Sequence, residues 1–220
     1  MFTRIIVPLD GTEHAERALP VAARIARTTG SSLLLVRVVL PSVRGTHTFS
    51  PTHTFSPTIA PTPTSHEIAI ANASSYLNEV LQRHASLLIG IKTETEEILG
   101  AASPAIFQEA RLYHADLLVF CSRGETGLKQ WLFSSLAHQS VRHSPVPVLV
   151  LNEHGLFPPF HRQDRPLRVL LPLDGSPFSE TVIEPTIQLI AALVESQQAV
   201  VHLFRVVDLP LPAGILPERL

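Results

Sequence analysis

The stretch ADLLVFCSRGETGLKQWLFSSLAHQSVRHSPVPVLVL, Ala115–Leu151, decides the fold. It opens on an apolar run, Asp116–Phe120, that reads as a strand buried on both faces. A polar loop containing Gly124 follows, and then Ser134 and Ser135 start a helical run. Pro145 and Pro147 introduce a second apolar strand, Val146–Leu151. Strand, polar loop and helix N-terminus in succession present backbone N–H groups to an anion, so this stretch is the clearest phosphate-sized site in the chain.

Working outward, Arg4–Leu9 (RIIVPL) is another buried-strand pattern, ending at Asp10-Gly11-Thr12. Thr12 suits an N-cap, and Glu13 and Glu16 suit the positive end of a helix. Ala15, Ala18, Leu19, Ala22, Ile25 and Ala26 recur at helical spacing up to Gly30, and Ser32–Leu40 is the next strand. Strand, helix and strand at this length form a right-handed βαβ unit. A second helix is expected over Glu67–Leu88. An edge strand of alternating character is expected over Ile91–Leu99, and a helix with Ser103 as N-cap and Pro104 in its first turn runs to about Tyr113. Residues 2–151 therefore predict a doubly wound α/β domain.

Between Pro41 and His66 the composition turns to Pro, Thr, Ser and His, and THTFSP occurs at Thr46–Pro51 and again at Thr52–Pro57. That content predicts a surface loop. His47, His53 and His66 lie within it without a neighbouring Cys or carboxylate, which argues against a metal site.

After a proline-bearing linker at residues 152–167, the start of the chain returns. Arg168–Gly175 is RVLLPLDG against RIIVPLDG at Arg4–Gly11, and FRVV at Phe204–Val207 matches VRVV at Val36–Val39. Residues 168–220 are expected to be an incomplete second copy, a single βαβ unit.

The 220 residues include 45% hydrophobic side chains, enough for a substantial core, and a formal net charge of −2. That charge argues against a nucleic-acid partner bound by bulk electrostatics. The single cysteine, Cys121, permits no intrachain disulfide and suits a reducing cytoplasm. No apolar run reaches the ~20 residues of a membrane span.

The two LDG turns and the Cys121–Val141 segment together resemble the universal stress protein family. Family members carry G-x-x-G, nine residues, then G-S or G-T; the matching positions here are Cys121, Gly124, Ser134 and Ser135. The spacing is intact, while Cys121 and Ser134 replace two of the three glycines. The resemblance implies a five-stranded parallel sheet in the order 3-2-1-4-5 and a cytoplasmic stress-response protein. It further implies an ATP or AMP module of little or no turnover, held between the ends of strands 1 and 4. Asp10 would face the ribose or adenine, Val38 would offer main-chain groups to adenine, and Gly124, Ser134, Ser135 and the N–H of Leu136 would hold phosphates. The resemblance also implies a homodimer through residues 146–151.

Each residue has a plainer reading beside this one. Asp10 and Ser135 suit turn and cap positions, Gly124 an ordinary loop, and Cys121 a small apolar filler. The alternative function is a nucleotide-free module acting through protein contacts. The SGG-x-D-S loop of ATP pyrophosphatases is absent from LDGTEHA, and no nucleophile–base–orienter set is visible.

Overall fold

The computed structural model describes residues 2–40, 63–122, 135–152, 166–194 and 199–205. The chain divides into two units, residues 1–159 and 160–220.

In the first unit five strands, β1 (Arg4–Leu9), β2 (Ser32–Val39), β3 (Thr93–Leu99), β4 (Leu117–Ser122) and β5 (Val148–Asn152), form one parallel sheet in the order β3-β2-β1-β4-β5. The order matches the expectation. β1 and the first half of β2 are buried on both faces, as their unbroken apolar runs require. β3 is an edge strand, and its alternating Thr and Glu are only partly buried. One face of the sheet, with Ile6, Leu34, Val36, Leu118 and Phe120, packs on α5 (Ala102–Leu112) through Ile106 and Ala110 and on α6 (Ser135–His143) through Ala137. The other face carries Ile5, Val7, Leu33, Leu35, Leu117 and Val119, all buried. It meets α1 (Glu13–Glu16), α2 (Leu19–Thr29) and α3 (Pro63–Arg83), with the short α4 (Ala85–Leu88) after them.

Several boundaries differ from the sequence reading. The first helix is two helices: the chain turns at Arg17 and Ala18, and Pro20 occupies the opening turn of α2. A proline fits there because the N–H it lacks would have had no intrahelical acceptor. α3 begins at Pro63, four residues before Glu67, so Pro63–His66 are helical. Helix α5 starts at Ala102 with the extended Ala101 as N-cap, so Ser103 is a buried residue of the first turn and not the cap. Gly100, at φ +146, reverses the chain just before it. β5 starts at Val148, beyond Pro147, which has no N–H to donate to a ladder. The duplicated THTFSP segment lies outside the described residues.

The second unit holds β6 (Leu167–Pro172), α7 (Pro177–Glu180), α8 (Ile183–Leu193) and β7 (Ala199–Phe204), with β6 and β7 parallel in register from Leu167↔Ala199 to Pro172↔Phe204. Ser176 caps α7 and Pro177 follows it, as the sequence indicates.

Candidate functional site

The strand order reverses between β1 and β4, the place where open α/β sheets bind ligands. The two strands pair at Ile5↔Leu117 and Ile6↔Leu118. Their upper ends, Val7–Leu9 and Val119–Ser122, lie beyond that ladder, at the edge where such sheets form a crevice.

The β1–α1 turn forms one wall. The Asp10 carboxylate accepts from the Thr12 N–H at 3.0 Å and the Thr12 hydroxyl at 2.5 Å. Thr12 in turn caps α1, its Oγ1 accepting from the Ala15 N–H. Asp10 is exposed and held by the turn that it holds. Gly11 sits at φ +86, where a side chain would be strained, and a Cβ there would lie 3.1 Å from the Arg37 guanidinium.

Val38 stands at the second wall. The Ser32 N–H donates to Thr3 on the β1 side, and the Leu33 N–H donates to Lys92 on the β3 side. Main-chain groups of successive strand residues point alternately to opposite neighbours, so even-numbered residues of β2 turn theirs toward β1. Consistently, Val39 gives its carbonyl to Gly100 on the β3 side at 3.0 Å. The β1 ladder ends at Leu9↔Arg37, a pairing that the Val38 N–H closes on the Leu9 carbonyl, so of the Val38 main-chain groups it is the carbonyl that lies beyond the last β1 partner.

Cys121 lies within β4, opposite Leu151 of β5 and partly buried. Ser122, at 2% exposure, closes the strand, and its hydroxyl has no hydrogen-bond partner among the described residues. Gly124 and Ser134 lie outside the described residues. Ser135 is the first residue of α6 and Leu136 the second, so their amides are among the four N–H groups that a helix leaves unsatisfied at its start. The Leu136 side chain packs against the core. The structure thus brings Asp10 and Val38 to one crevice and sets Cys121 in the strand beside it. Among the described residues no group of three or more metal-ligating side chains occurs, and no helix is long and apolar enough to cross a membrane.

A charged cluster that the sequence does not disclose adjoins the turn. Glu16, 6% exposed, accepts from Arg83 Nη1 at 2.8 and 2.9 Å, from the Tyr76 hydroxyl at 3.2 Å, and lies 2.9 Å from His84 Nε2. Burial alone would raise its carboxyl. The hydrogen bonds from His84, Arg83 and Tyr76, with the Arg83 charge, outweigh burial and hold it below the ordinary carboxylate range. Burial, and then the Glu16 charge, push the Tyr76 hydroxyl up. Arg37 lies over the Tyr76 ring, 5.6 Å from its centre, and donates to the Leu9 carbonyl at 3.3 Å. The one signal in the sequence is Arg37 itself, a charge inside the apolar run SLLLVRVVL.

The second unit repeats the turn. The Ser176 N–H donates to Asp174 at 2.7 Å, Gly175 also has φ +86, and Arg205 occupies the place of Arg37. The Ser176 hydrogen bonds lower the Asp174 carboxyl to about 2. An open cavity of about 350 Å³ adjoins it, lined by Pro172, Leu173, Asp174, Ser179 and Phe204.

A sequence model of the universal stress protein family matches residues 1–152. A universal stress protein of Thermus aquaticus is 29% identical over 152 residues, covering 69% of this chain and 99% of its own. Among solved structures, a universal stress protein in complex with cAMP has a TM-score of 0.50 at 19% identity, over 68% of this chain and 97% of that one. A structure from Pseudomonas aeruginosa assigned to the universal stress proteins has a TM-score of 0.59 at 18% identity, over 93% of this chain and 61% of that one. At these identities the two structures speak to fold.

Proposed function

The chain belongs to the universal stress protein family, and from that premise we propose that its first unit binds an adenine nucleotide, ATP or AMP, in the crevice between β1 and β4, with little or no turnover, as part of a cytoplasmic stress response. The observation that carries this reading is the Val38 carbonyl, placed beyond the last β1 partner and beside the exposed Asp10. A carbonyl at a strand end can accept from the amino group of adenine, and a carboxylate one strand away can accept from ribose hydroxyls. Ser135, the Leu136 N–H and Gly124 would then take the phosphates at the start of α6. The related structure that holds cAMP supports the choice of an adenine nucleotide.

Ser134 and Cys121, standing where the family has glycine, favour a second reading, a nucleotide-free module that acts through protein contacts. Titration calorimetry of the full chain with ATP, AMP and cAMP separates the two. Heat of binding saturating at one site per chain supports the nucleotide reading, and none at millimolar ligand overturns it. We also assign residues 2–151 to one family domain, 152–167 to a linker and 168–220 to a partial second copy. The repeated turn and the solved relative covering 93% of the chain support the assignment. A homodimer through residues 146–151 completes the proposal, since β5 is the last strand of its sheet and carries partly buried Val148, Leu149 and Val150.

A further inference from the structure

Five side chains, from β2, α1, α3 and the residue that follows α3, form a continuous line that starts at the β1–α1 turn. Arg37 donates to the Leu9 carbonyl and lies against Gly11. Its guanidinium carbon is 5.6 Å from the centre of the Tyr76 ring. The Tyr76 hydroxyl donates to Glu16, which Arg83 and His84 hold from the far side. From this line the geometry points to Arg37 and Tyr76 as positioning residues for the base-and-ribose half of the site, a role that rests on the nucleotide reading of that turn.

The coupling is mechanical. Arg37 precedes Val38 in the chain, so one strand end carries both the carbonyl beyond the ladder and the brace of the turn beside it. An arginine on a free stem samples many rotamers; a planar guanidinium stacked on a ring and hydrogen-bonded to a carbonyl is confined to one. Confined there, it fixes the Leu9 carbonyl and the path of Gly11, and through them the carboxylate of Asp10. Tyr76 is itself confined, because its hydroxyl is tied to a buried carboxylate. Neither residue needs to touch the nucleotide.

The second unit supplies an internal contrast. Arg205 crowds Gly175 still more closely, 2.6 Å from where a Cβ would stand, so the arginine belongs to both turns. Arg205 is exposed, and among the described residues no ring lies over it. Among the described residues the tyrosine brace occurs in the first unit.

The test uses the full chain as wild type, Arg37→Met, Tyr76→Ala and Tyr76→Phe. Hydrogen exchange is measured without nucleotide in the segment spanning residues 9–12 and, for reference, in β4. AMP affinity is then measured by calorimetry. Tyr76→Ala and Arg37→Met should speed exchange at 9–12 severalfold, leave β4 unchanged, and weaken AMP by about three- to tenfold, the range of a lost cation–π contact. Tyr76→Phe keeps the ring and should rescue most of both effects. Unchanged exchange at 9–12, a rise shared equally by β4, or a Tyr76→Phe variant as impaired as Tyr76→Ala would overturn the proposal, as would faster exchange with unaltered AMP affinity. If wild type binds no AMP, the nucleotide reading fails, and the exchange data alone decide whether the brace holds the turn.

Discussion

Replacing Glu16 by Gln tests the physical account of this domain most directly. As a mere acid at a helix N-terminus, Glu16 would contribute ~0.3–1 kcal/mol. In the structure it is 6% exposed and engages three side chains. Gln keeps the shape, yet one of its two terminal atoms becomes a donor. Arg83 donates to both carboxylate oxygens, so either orientation of the amide sets N–H against N–H. A net hydrogen bond to a charged group contributes ~1.5–3 kcal/mol. Arg83 is half exposed and His84 a quarter exposed, so both regain water when the acceptor is lost, which reduces the penalty. The expected cost is then ~2–3 kcal/mol, a fall of ~4–12 °C in melting temperature for a domain of this size. Thermal and urea unfolding of wild type, Glu16→Gln, Arg83→Met and the double variant would measure it, and the double variant should lose less than the sum of the singles. A Glu16→Gln loss below ~1 kcal/mol, or strict additivity, would refute the cluster as a clamp between α1 and α3.

The same group sets a pH dependence. Its folded carboxyl lies below the ordinary 4.5, so its contribution is complete above that value and fades as pH falls through the folded one; the stability gap between wild type and Glu16→Gln should therefore shrink on acidification. Gly11→Ala, at φ +86 and against Arg37, should cost at least ~1 kcal/mol in a melting experiment. For the phosphate half of the site, Ser134→Gly should tighten ATP by roughly five- to thirtyfold and Gly124→Val should abolish binding, read by calorimetry. Light scattering should show a dimer, and a monomer at high concentration would count against pairing through residues 146–151.

The parallel sheet was legible because strands buried on both faces read as unbroken apolar runs: IIVPL, LLLV and LLVF give strand position and burial together. The LDG turns were legible because Asp, Gly and a capping Thr or Ser leave few local conformations open. Two features were hidden for one reason, that long-range pairing outweighs local preference. Pro63–His66 read as loop from its polar content, yet the residues after it bury Ala73, Leu77 and Val80, and propagating a helix backward by one turn is cheaper than starting it later. Glu16 read as a helix-end charge because its partners lie 60 to 68 residues away, a separation that no periodicity reveals. Asp10 and Val38 stand side by side just past the end of β1 and near the end of β2; Gly124 and Ser134 lie outside the described residues.

Comparing the two turns separates what is local from what is assembled. Asp174 and Asp10 both accept from the amide two residues on, both glycines adopt the same φ, and an arginine in or just after the next strand crowds each one. All of this recurs in a two-stranded unit and so requires nothing from a fourth strand or a long third helix. The aspartate turn is therefore a self-contained way to end a strand and start a helix, and cannot by itself signify nucleotide binding. Among the described residues, the first unit adds β4 beside β1, a helix N-terminus beyond it, and Tyr76 bracing the arginine. If the chain binds one nucleotide, it should bind in the first unit, and Asp10→Ala should weaken it while Asp174→Ala leaves the affinity unchanged. Equal losses from the two substitutions would mean that the turn alone carries recognition, with β4 and α6 adding nothing to the choice of site.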